Sequence, residues 1–433
     1  MRVIQIVPSV GDESSGPSYS VPGLCRGLTD NGVDVSLHFL GRMPTQLQDA
    51  PYVVKNYSCV DKFHLGMSST MLQGLKAACQ TADIIHDNSL WMMPNVYPAW
   101  AVKGTKCKLV VAPRGTLAAW SLKKGWLKKK LFGMLLQNQV LRRADMFHAT
   151  SEKEYEEIRA LGYKQPIAIV PIGMDIPTFE HSNIQTFKYS PRWGTPGLKK
   201  VVFFGRLHQV KAVDRLVQAW ELLNRTIEQS KNRTIEQWEL LIAGPDNGIR
   251  TELEQYIADH KIPRVTFVGE INGPAKYEFL SMADLYVLPS HTENFGVTVA
   301  EALACGTPVI VSKGTPWQGV ETCGRISQSN NVSSVALAKE DRTSEQRVLR
   351  SFSEGGSNNS CCGKWVENSP ESLAAALAEL MALSDDERRT MGECGQAWIK
   401  RDFSWEGVGA KMKAVYDWLC DSRLWDKPEC VII

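Results

Sequence analysis

The sequence predicts an α/β protein of two doubly wound lobes, each built on a parallel sheet. Three observations carry this reading. The chain has 433 residues and is 43% hydrophobic, too long for one ordinary core and apolar enough to fold, so two domains are the natural division. Short apolar runs alternate with longer amphipathic stretches, the rhythm of repeated βαβ units. That rhythm breaks after Pro171-Ile172-Gly173 and restarts at Lys200.

The first run, Val3–Val7, reads as a buried strand and not a secretory leader, because it is short and no small-residue cleavage site follows. Val33–Phe39, Asp83–His86, Lys108–Ala112, Met146–Thr150 and Ile167–Val170 continue the first sheet, with helix-like stretches between most of them. Lys200–Phe204, Leu240–Ala243, Val265–Val268, Leu285–Leu288 and Pro308–Val311 form the second. The expected division is residues 1–180 as one lobe and 195–402 as a second, with 403–433 as a C-terminal helix and tail packing back on the first. Within that tail, Trp405, Val408, Met412, Val415 and Leu419 recur at threes and fours, which is helical spacing. Ligands of such sheets bind beyond the carboxyl ends of the strands, so functional residues are expected just after those runs.

Two segments interrupt the pattern. Asn224-Arg225-Thr226-Ile227-Glu228-Gln229 recurs as residues 232–237, a local duplication extending one helix or its following loop, too short for a solenoid. Residues 323–361 are polar and without sustained periodicity, which reads as a surface loop.

Composition restricts the partners. A net charge of +2 leaves no nucleic-acid footprint. No stretch reaches the roughly 18 apolar residues that a membrane span requires. The 11 cysteines lie from Cys25 to Cys430 without paired metal-type spacing, which fits reduced thiols of a cytosolic protein. No metal site is expected.

The chemistry concentrates in two stretches. In the first, a buried strand ends at Pro289, a turn carries Glu293, and Gly296 lets the backbone approach a ligand as a helix begins. The N–H groups at that helix start form an anion site suited to a diphosphate. Glu301 lies on the first turns, where a carboxylate accepts the hydroxyls of a ribose, and Glu293 before it faces a sugar. Taken alone, two such glutamates are more often ordinary surface residues. In the second stretch, Gly205, Arg206 and Lys211 follow the first strand of the second lobe. An arginine fork and a lysine point charge there converge on a diphosphate and stabilise it as it departs. A lone strand-end arginine is otherwise an ion-pair partner.

Gly205-Arg206-Leu207-His208, Lys211, Ala243-Gly244-Pro245-Asp246, Phe267-Val268-Gly269 and Glu293-Asn294-Phe295-Gly296 through Glu301 together resemble the family-4 retaining glycosyltransferases over nearly the whole chain. The resemblance implies the GT-B fold, two Rossmann-like lobes facing a central cleft. It implies sugar transfer with retention from a UDP- or GDP-linked donor, without a metal or other cofactor, by front-side attack on an oxocarbenium-like species. Arg206 and Lys211 would bind the donor diphosphate, Glu293 would face the donor sugar and Glu301 would bind ribose. Gly16, Gly205, Val268, Asn294, Phe295, Gly296 and Val297 complete the donor set. Ala212 stands where the family usually has glycine, which is expected only to stiffen the loop.

In the first lobe, Ser14-Ser15-Gly16-Pro17-Ser18 resembles the family's glycine-rich loop, while Ile85–Trp91 and Ala112–Leu117 resemble a bacterial polysaccharide-assembly branch. That branch implies a saccharide or lipid-linked saccharide acceptor in surface polysaccharide or lipopolysaccharide assembly. Arg114 replaces the usual histidine after the proline, and Arg114 and His86 are the catalytic candidates on this side. His86 also fits a core or supporting role.

Other classes fit less well. No G-x-G-x-x-G follows Val7 or Phe204, and no phosphate loop of P-loop type is present. The alternative is a non-catalytic sugar-nucleotide-binding subunit of the same fold, since fold does not fix function. Finally, residues 117–141 combine Trp120, Trp126, Leu131, Phe132, Met134, Leu135 and Leu136 with Lys123, Lys124 and Lys128–Lys130 and no acid. That composition reads either as an interfacial helix on an anionic membrane or as a packing helix with solvated lysines. The protein is therefore expected in the cytoplasm, with peripheral contact at the inner membrane face. Cys430-Val431-Ile432-Ile433 has the form of a prenylation box.

Overall fold

A computed structural model describes residues 1–11, 16–60, 65–123, 126–175, 193–230, 237–324 and 361–433. The chain divides into two compact units, Met1–Asp175 with Arg401–Ile433, and Ile176–Lys400. The first unit runs β1 (Arg2–Ile6), α1 (Gly16–Asp30), β2 (Asp34–Leu40), β3 (Val53–Tyr57), α2 (Ser69–Ala78), β4 (Ile84–Asn88), α3 (Tyr97–Ala101), β5 (Lys108–Ala112), α4 (Ala119–Lys123), α5 (Trp126–Phe132), α6 (Asn138–Arg143), β6 (Met146–Ala149), α7 (Glu152–Ala160) and β7 (Ile167–Ile169). The second runs β8 (Lys199–Phe204), α8 (Val213–Ser230), β9 (Trp238–Ala243), α9 (Arg250–Asp259), β10 (Val265–Gly269), α10 (Ala275–Ser281), β11 (Leu285–Leu288), α11 (Val297–Ala304), β12 (Val309–Ser312), β13 (Gly363–Val366), α12 (Pro370–Ala382) and α13 (Asp385–Phe403). The chain then returns to the first unit as α14 (Trp405–Cys420) and β14 (Val431–Ile432).

The strand orders are β14-β7-β6-β5-β4-β1-β2-β3 and β10-β9-β8-β11-β12-β13. Apart from the antiparallel β14, the neighbours pair in parallel. In each unit the order reverses once, between β1 and β4 in the first and between β8 and β11 in the second. The crevice at such a switch point, outside the carboxyl ends, is where a doubly wound sheet holds its ligand. Burial follows from parallel pairing: helices cover both faces, so β4, β9, β11 and β12 are buried along their full length. Serine hydroxyls of Ser151, Ser369 and Ser404 cap α7, α12 and α14, satisfying N–H groups that the helices leave open.

Helix α14 is tied to the first unit by small residues. Trp405 lies against Gly23 and Gly173, where an added Cβ would stand 2.1 and 2.3 Å from its ring. One turn on, Gly27 meets the Trp405 carbonyl and Gly409 meets the Gly27 carbonyl, each at 2.2 Å from such a Cβ. The two backbones thus approach closer than side chains allow.

Three strands were absent from the sequence reading. β3 is a mostly exposed edge strand, so it lacks an apolar run. β13 starts directly after the polar stretch, and residues 325–360 of that stretch lie outside the described residues. β14 is the third: Val431 pairs with Ala168 and the Cys430 carbonyl accepts from the Ile169 amide. The would-be prenylation box is therefore a sheet strand in this fold. The first copy of the duplication lies in α8, and residues 231–236 of the second are outside the described set.

A methyl group at Gly27 has no room without moving the α14 backbone. Gly27→Ala is expected to destabilise by about 1–3 kcal/mol, measured as a lower urea midpoint at unchanged slope. An unaltered midpoint would show that the helices separate freely.

Candidate active site

In the second unit, the residues after β8 and β11 lie on either side of the switch point. The β8 strand ends at Phe204; Gly205 donates to the Ala243 carbonyl, and the chain turns outward at Arg206, whose side chain is exposed. Among the described residues nothing hydrogen-bonds or pairs with that guanidinium. A short turn, Gln209–Lys211, follows, with the His208 Nδ1 accepting from the Val210 amide. Ala212 closes it at φ 49° and ψ 41°, the left-handed region. Its Cβ is strained there by about 1 kcal/mol, so this alanine does more than stiffen the loop, as the sequence reading had it.

Lys211 leans across the switch point. Its Nζ lies 2.6 Å from the Glu293 Oε1, which also accepts from the Ser290 hydroxyl at 2.6 Å. Both side chains are largely buried, 15% and 13% exposed. The two loops are stitched together by the His291 amide donating to the Val210 carbonyl, and Glu293 is fixed by its own amide donating to Gly314. Beyond Asn294, Phe295 is buried and its carbonyl accepts from the Trp317 indole. Gly296 then starts α11 at φ 81°; a side chain here would be strained and its Cβ would press on the Trp317 Nε1 at 3.2 Å. The Val299 amide donates to the Gly296 carbonyl, while the amides of Val297 and Thr298 come before any helix carbonyl that could accept from them.

Glu301 lies inside α11, 3% exposed, and pairs with Lys276 of α10 at 2.5 Å. Beside it the buried Tyr286 hydroxyl donates to Thr298 at 2.6 Å. Burial pushes the Tyr286 phenol up, and the charges of Glu293 and Glu301 add to this, so both carboxylates lie near it. Val268 occupies a bulge between Phe267 and Gly269 at the carboxyl end of β10, one strand beyond β9.

In the first unit, Gly16 opens α1 and is exposed, while residues 12–15 of its loop lie outside the described set. Arg114 follows β5 at φ 55° and donates from Nε and Nη2 to the Asn88 Oδ1 at 3.2 and 2.8 Å. The neighbouring Gly115 amide is held by the buried Glu154 carboxylate, which also accepts from the Thr150 amide and hydroxyl. His86, a catalytic candidate of the sequence reading that also fitted a core role, has a fully buried side chain. It belongs to a directed chain of hydrogen bonds. The Val170 carbonyl only accepts, so His148 donates from Nε2 and its Nδ1 accepts from the His86 Nε2. The His86 Nδ1 then accepts from the Tyr416 hydroxyl at 2.6 Å, which accepts from Gln5, which accepts from Asn88, which accepts from Arg114. One proton ordering satisfies the whole row.

Sequence reasoning missed Lys276, Ser290, Tyr286 and Tyr416. Each is a partner supplied by a distant segment or an ordinary strand residue, without a motif of its own. Among the described residues no cluster of three or more His, Cys, Asp or Glu is placed to hold a metal.

Two family models match the chain, "Glycosyl transferase 4-like domain" over residues 15–173 and "Glycosyl transferases group 1" over residues 187–324. A D-inositol 3-phosphate glycosyltransferase 2 of Catenulispora acidiphila is 24% identical, covering 71% of this chain and 75% of that one. A D-inositol 3-phosphate glycosyltransferase of Corynebacterium jeikeium is 26% identical over 95% of this chain and 93% of its own. Other relatives match over about half their length, 51% for the one from Mycolicibacterium gilvum. Among solved structures, Anabaena Alr3699/HepE in complex with UDP and glucose is similar with a TM-score of 0.67, at 17% identity, covering 96% of this chain and 99% of that one.

The buried imidazoles set a pH dependence. Burial holds His86 well below its ordinary 6.5, and His148 at about 3, with the Arg114 charge adding to both. Below pH 6.5 the unfolded chain therefore binds more protons than the folded one. Stability falls as pH drops from 6.5 toward 3, by about 1.4 kcal/mol per pH unit for each histidine, and is independent of these groups above 6.5. Urea titrations at neutral pH and about one unit below 6.5 should show that loss, and His148→Gln should lessen it by one histidine's share. Equal stability at both pH values would mean the imidazoles are already charged in the fold.

Proposed function

The chain belongs to the family-4 glycosyltransferases of GT-B fold, and from that premise we propose that it transfers a sugar, with retention, from a UDP- or GDP-linked donor to a saccharide or lipid-linked saccharide acceptor. One observation carries the proposal: Arg206 and Lys211 follow β8, Glu293 and the α11 amino terminus follow β11, these two strands flank the switch point, and Lys211 pairs with Glu293 across it. Arg206 and Lys211 bring two positive charges to the departing diphosphate, and the α11 amides add donors. Their charge stabilises the leaving group as the sugar–oxygen bond breaks. The acceptor oxygen forms its bond on the same face, and its proton passes to the released diphosphate. Glu293, fixed by Ser290 and its own amide, faces the donor sugar, and Glu301 takes the ribose hydroxyls. Because Arg206 and Lys211 supply the charge, the reaction needs no divalent cation, and activity should survive chelation.

Surface polysaccharide assembly is the pathway this reading favours, and the relatives' names add a phosphorylated inositol as an acceptor to assay. The enzyme is placed in the cytoplasm, resting on the anionic inner face of a membrane. Support comes from α4 to α6. Leu122, Phe132 and Leu136 pack on the core, whereas Trp120, Trp126, Leu127, Leu131, Met134 and Leu135 are 47–64% exposed. Lys123 and Lys130 are exposed beside them. Residue 124 and the side chain of Lys128 lie outside the described set. No helix among the described residues is long and apolar enough to cross a membrane.

Arg206→Ala and Lys211→Ala are each expected to cost about 2–4 kcal/mol in kcat/KM, roughly 30- to 1,000-fold, for a UDP- or GDP-sugar. Turnover at the unmodified rate in either variant would sink the assignment of the diphosphate site.

Membrane residence is checked separately with vesicles. Sedimentation should require anionic lipid and fade with salt, each lysine adding about 1 kcal/mol. It should drop when Leu131 and Leu135 become glutamate. Equal recovery in the supernatant with and without anionic vesicles would remove the membrane reading and leave the donor chemistry intact.

A further inference from the structure

We propose that Lys276 is the positioning residue of the ribose site: its ion pair keeps the Glu301 carboxylate ionised and turned to accept both hydroxyls of the donor's ribose. The proposal rests on the reading of Glu301 as the ribose acceptor. Lys276 sits on the first turn of α10, 25 residues from its partner, and nothing in the E-x7-E stretch points to it.

The argument begins with burial. The Glu301 side chain is 4% exposed, and a carboxylate so far from water loses its charge unless a partner compensates. Three titratable neighbours bring no positive charge. Tyr286 on β11 is neutral, its phenol pushed up by burial. Cys305, on the same helix, has its thiol pushed up to about 12 by burial. Glu293, on the preceding loop, is negative and paired with Lys211. The β12 strand, Val309–Ser312, contributes no titratable group. Lys276 supplies the positive charge, with its Nζ 2.5 Å from the Glu301 Oε1 and its own side chain 21% exposed.

Charge state decides what Glu301 can bind. Ionised, it only accepts hydrogen bonds and so takes two hydroxyl protons. Protonated, it presents a donor of its own, and one ribose hydroxyl is left facing it unpaired. The short contact also fixes the rotamer, since a charge-assisted hydrogen bond at this distance holds one oxygen in place. Lys276 thus acts through Glu301 and need not touch the donor.

The readout is preference for ribose over 2′-deoxyribose. The full chain is titrated calorimetrically with UDP, GDP and their 2′-deoxy counterparts at about pH 7 and about pH 9. The wild type should favour the ribose form of its better nucleotide by about 10- to 100-fold, the value of hydrogen bonds to a charged group. In Lys276→Met that preference should collapse to within about threefold near pH 7 and return near pH 9, as the unpartnered carboxylate ionises. Lys276→Arg should retain it at both. Lys276→Gln, which keeps a hydrogen-bond donor without the charge, gives the same test if the methionine variant fails to fold. Wild-type preference in the uncharged variants at neutral pH would overturn the role of Lys276 while leaving Glu301 as the ribose acceptor. A wild type with no preference, or Glu301→Ala that keeps one, would instead overturn the ribose reading itself.

Discussion

The rest of the structure depends on the requirement that a parallel sheet be covered on both faces. Backbone pairing in parallel needs a crossover for every strand, and the crossovers lay helices on each side. Interior strands are then buried throughout, as β9, β11 and β12 are, and a charge inside the sheet needs a partner there, as Glu239 of β9 has in Lys200 of β8 at 3.7 Å. Other charges stand where strands end and the backbone turns out. At the β8 and β11 ends this constraint gathers Arg206, Lys211 and Glu293. The reversal of strand order there leaves no crossover to fill the space between them.

The two units solve the problem of polar groups near the sheet differently. In the second, charges are matched one to one: Lys211 with Glu293, Lys276 with Glu301. Such pairs recover the cost of leaving water only when both members are held and hydrogen-bonded, which Ser290 and the Gly314 carbonyl accomplish for Glu293. On the proposed function, a diphosphate entering beside Lys211 would compete with an existing partner and leave Glu293 available to a sugar. In the first unit the solution is neutral. β4 buries His86, Asp87 and Asn88 in sequence; the hydrogen-bond row from Arg114 to the Val170 carbonyl takes in His86 and Asn88 without ionised imidazoles, and Asp87 accepts from Asn95 instead. The direction of that row is imposed at its two ends by a group that only accepts and a group that only donates.

Much of this was legible in the sequence, and the limits have physical causes. Apolar runs located the interior strands within a residue or two because burial on both faces forces unbroken hydrophobicity. β3 and β14 escaped because edge strands need no such run. Glu293 and Gly296 were legible because turn, glycine and helix start are local events. Lys276 and Tyr416 were not, since each meets its partner only after the sheet has closed, at separations of 25 and 330 residues. His86 was a catalytic candidate through the resemblance of its stretch, and its ring is buried, 5.2 Å from that of His148.

Backbone strain gives an independent view of the same places. Among the described residues seven non-glycines adopt positive φ; Ser89, Trp91 and Arg114 stand just past the ends of β4 and β5, and Ala212 closes the turn that follows β8. Each costs on the order of 1–2 kcal/mol, and a glycine would relieve it. Strain of this kind persists where surrounding contacts over-determine it, and the contacts are visible. The Trp91 amide donates to the buried Gln137 and its indole to the Thr116 carbonyl, while Ser89 donates to Ala112. Arg114 is held through Asn88. At these positions a side chain is retained although the backbone would favour none. For Arg114 the reason is chemical, because the guanidinium is what the strained turn delivers to the strand end. The same cannot be said of Ala212, whose methyl is fully buried. There the strain is balanced by packing at the start of α8, which sets Lys211 at the height from which it reaches Glu293.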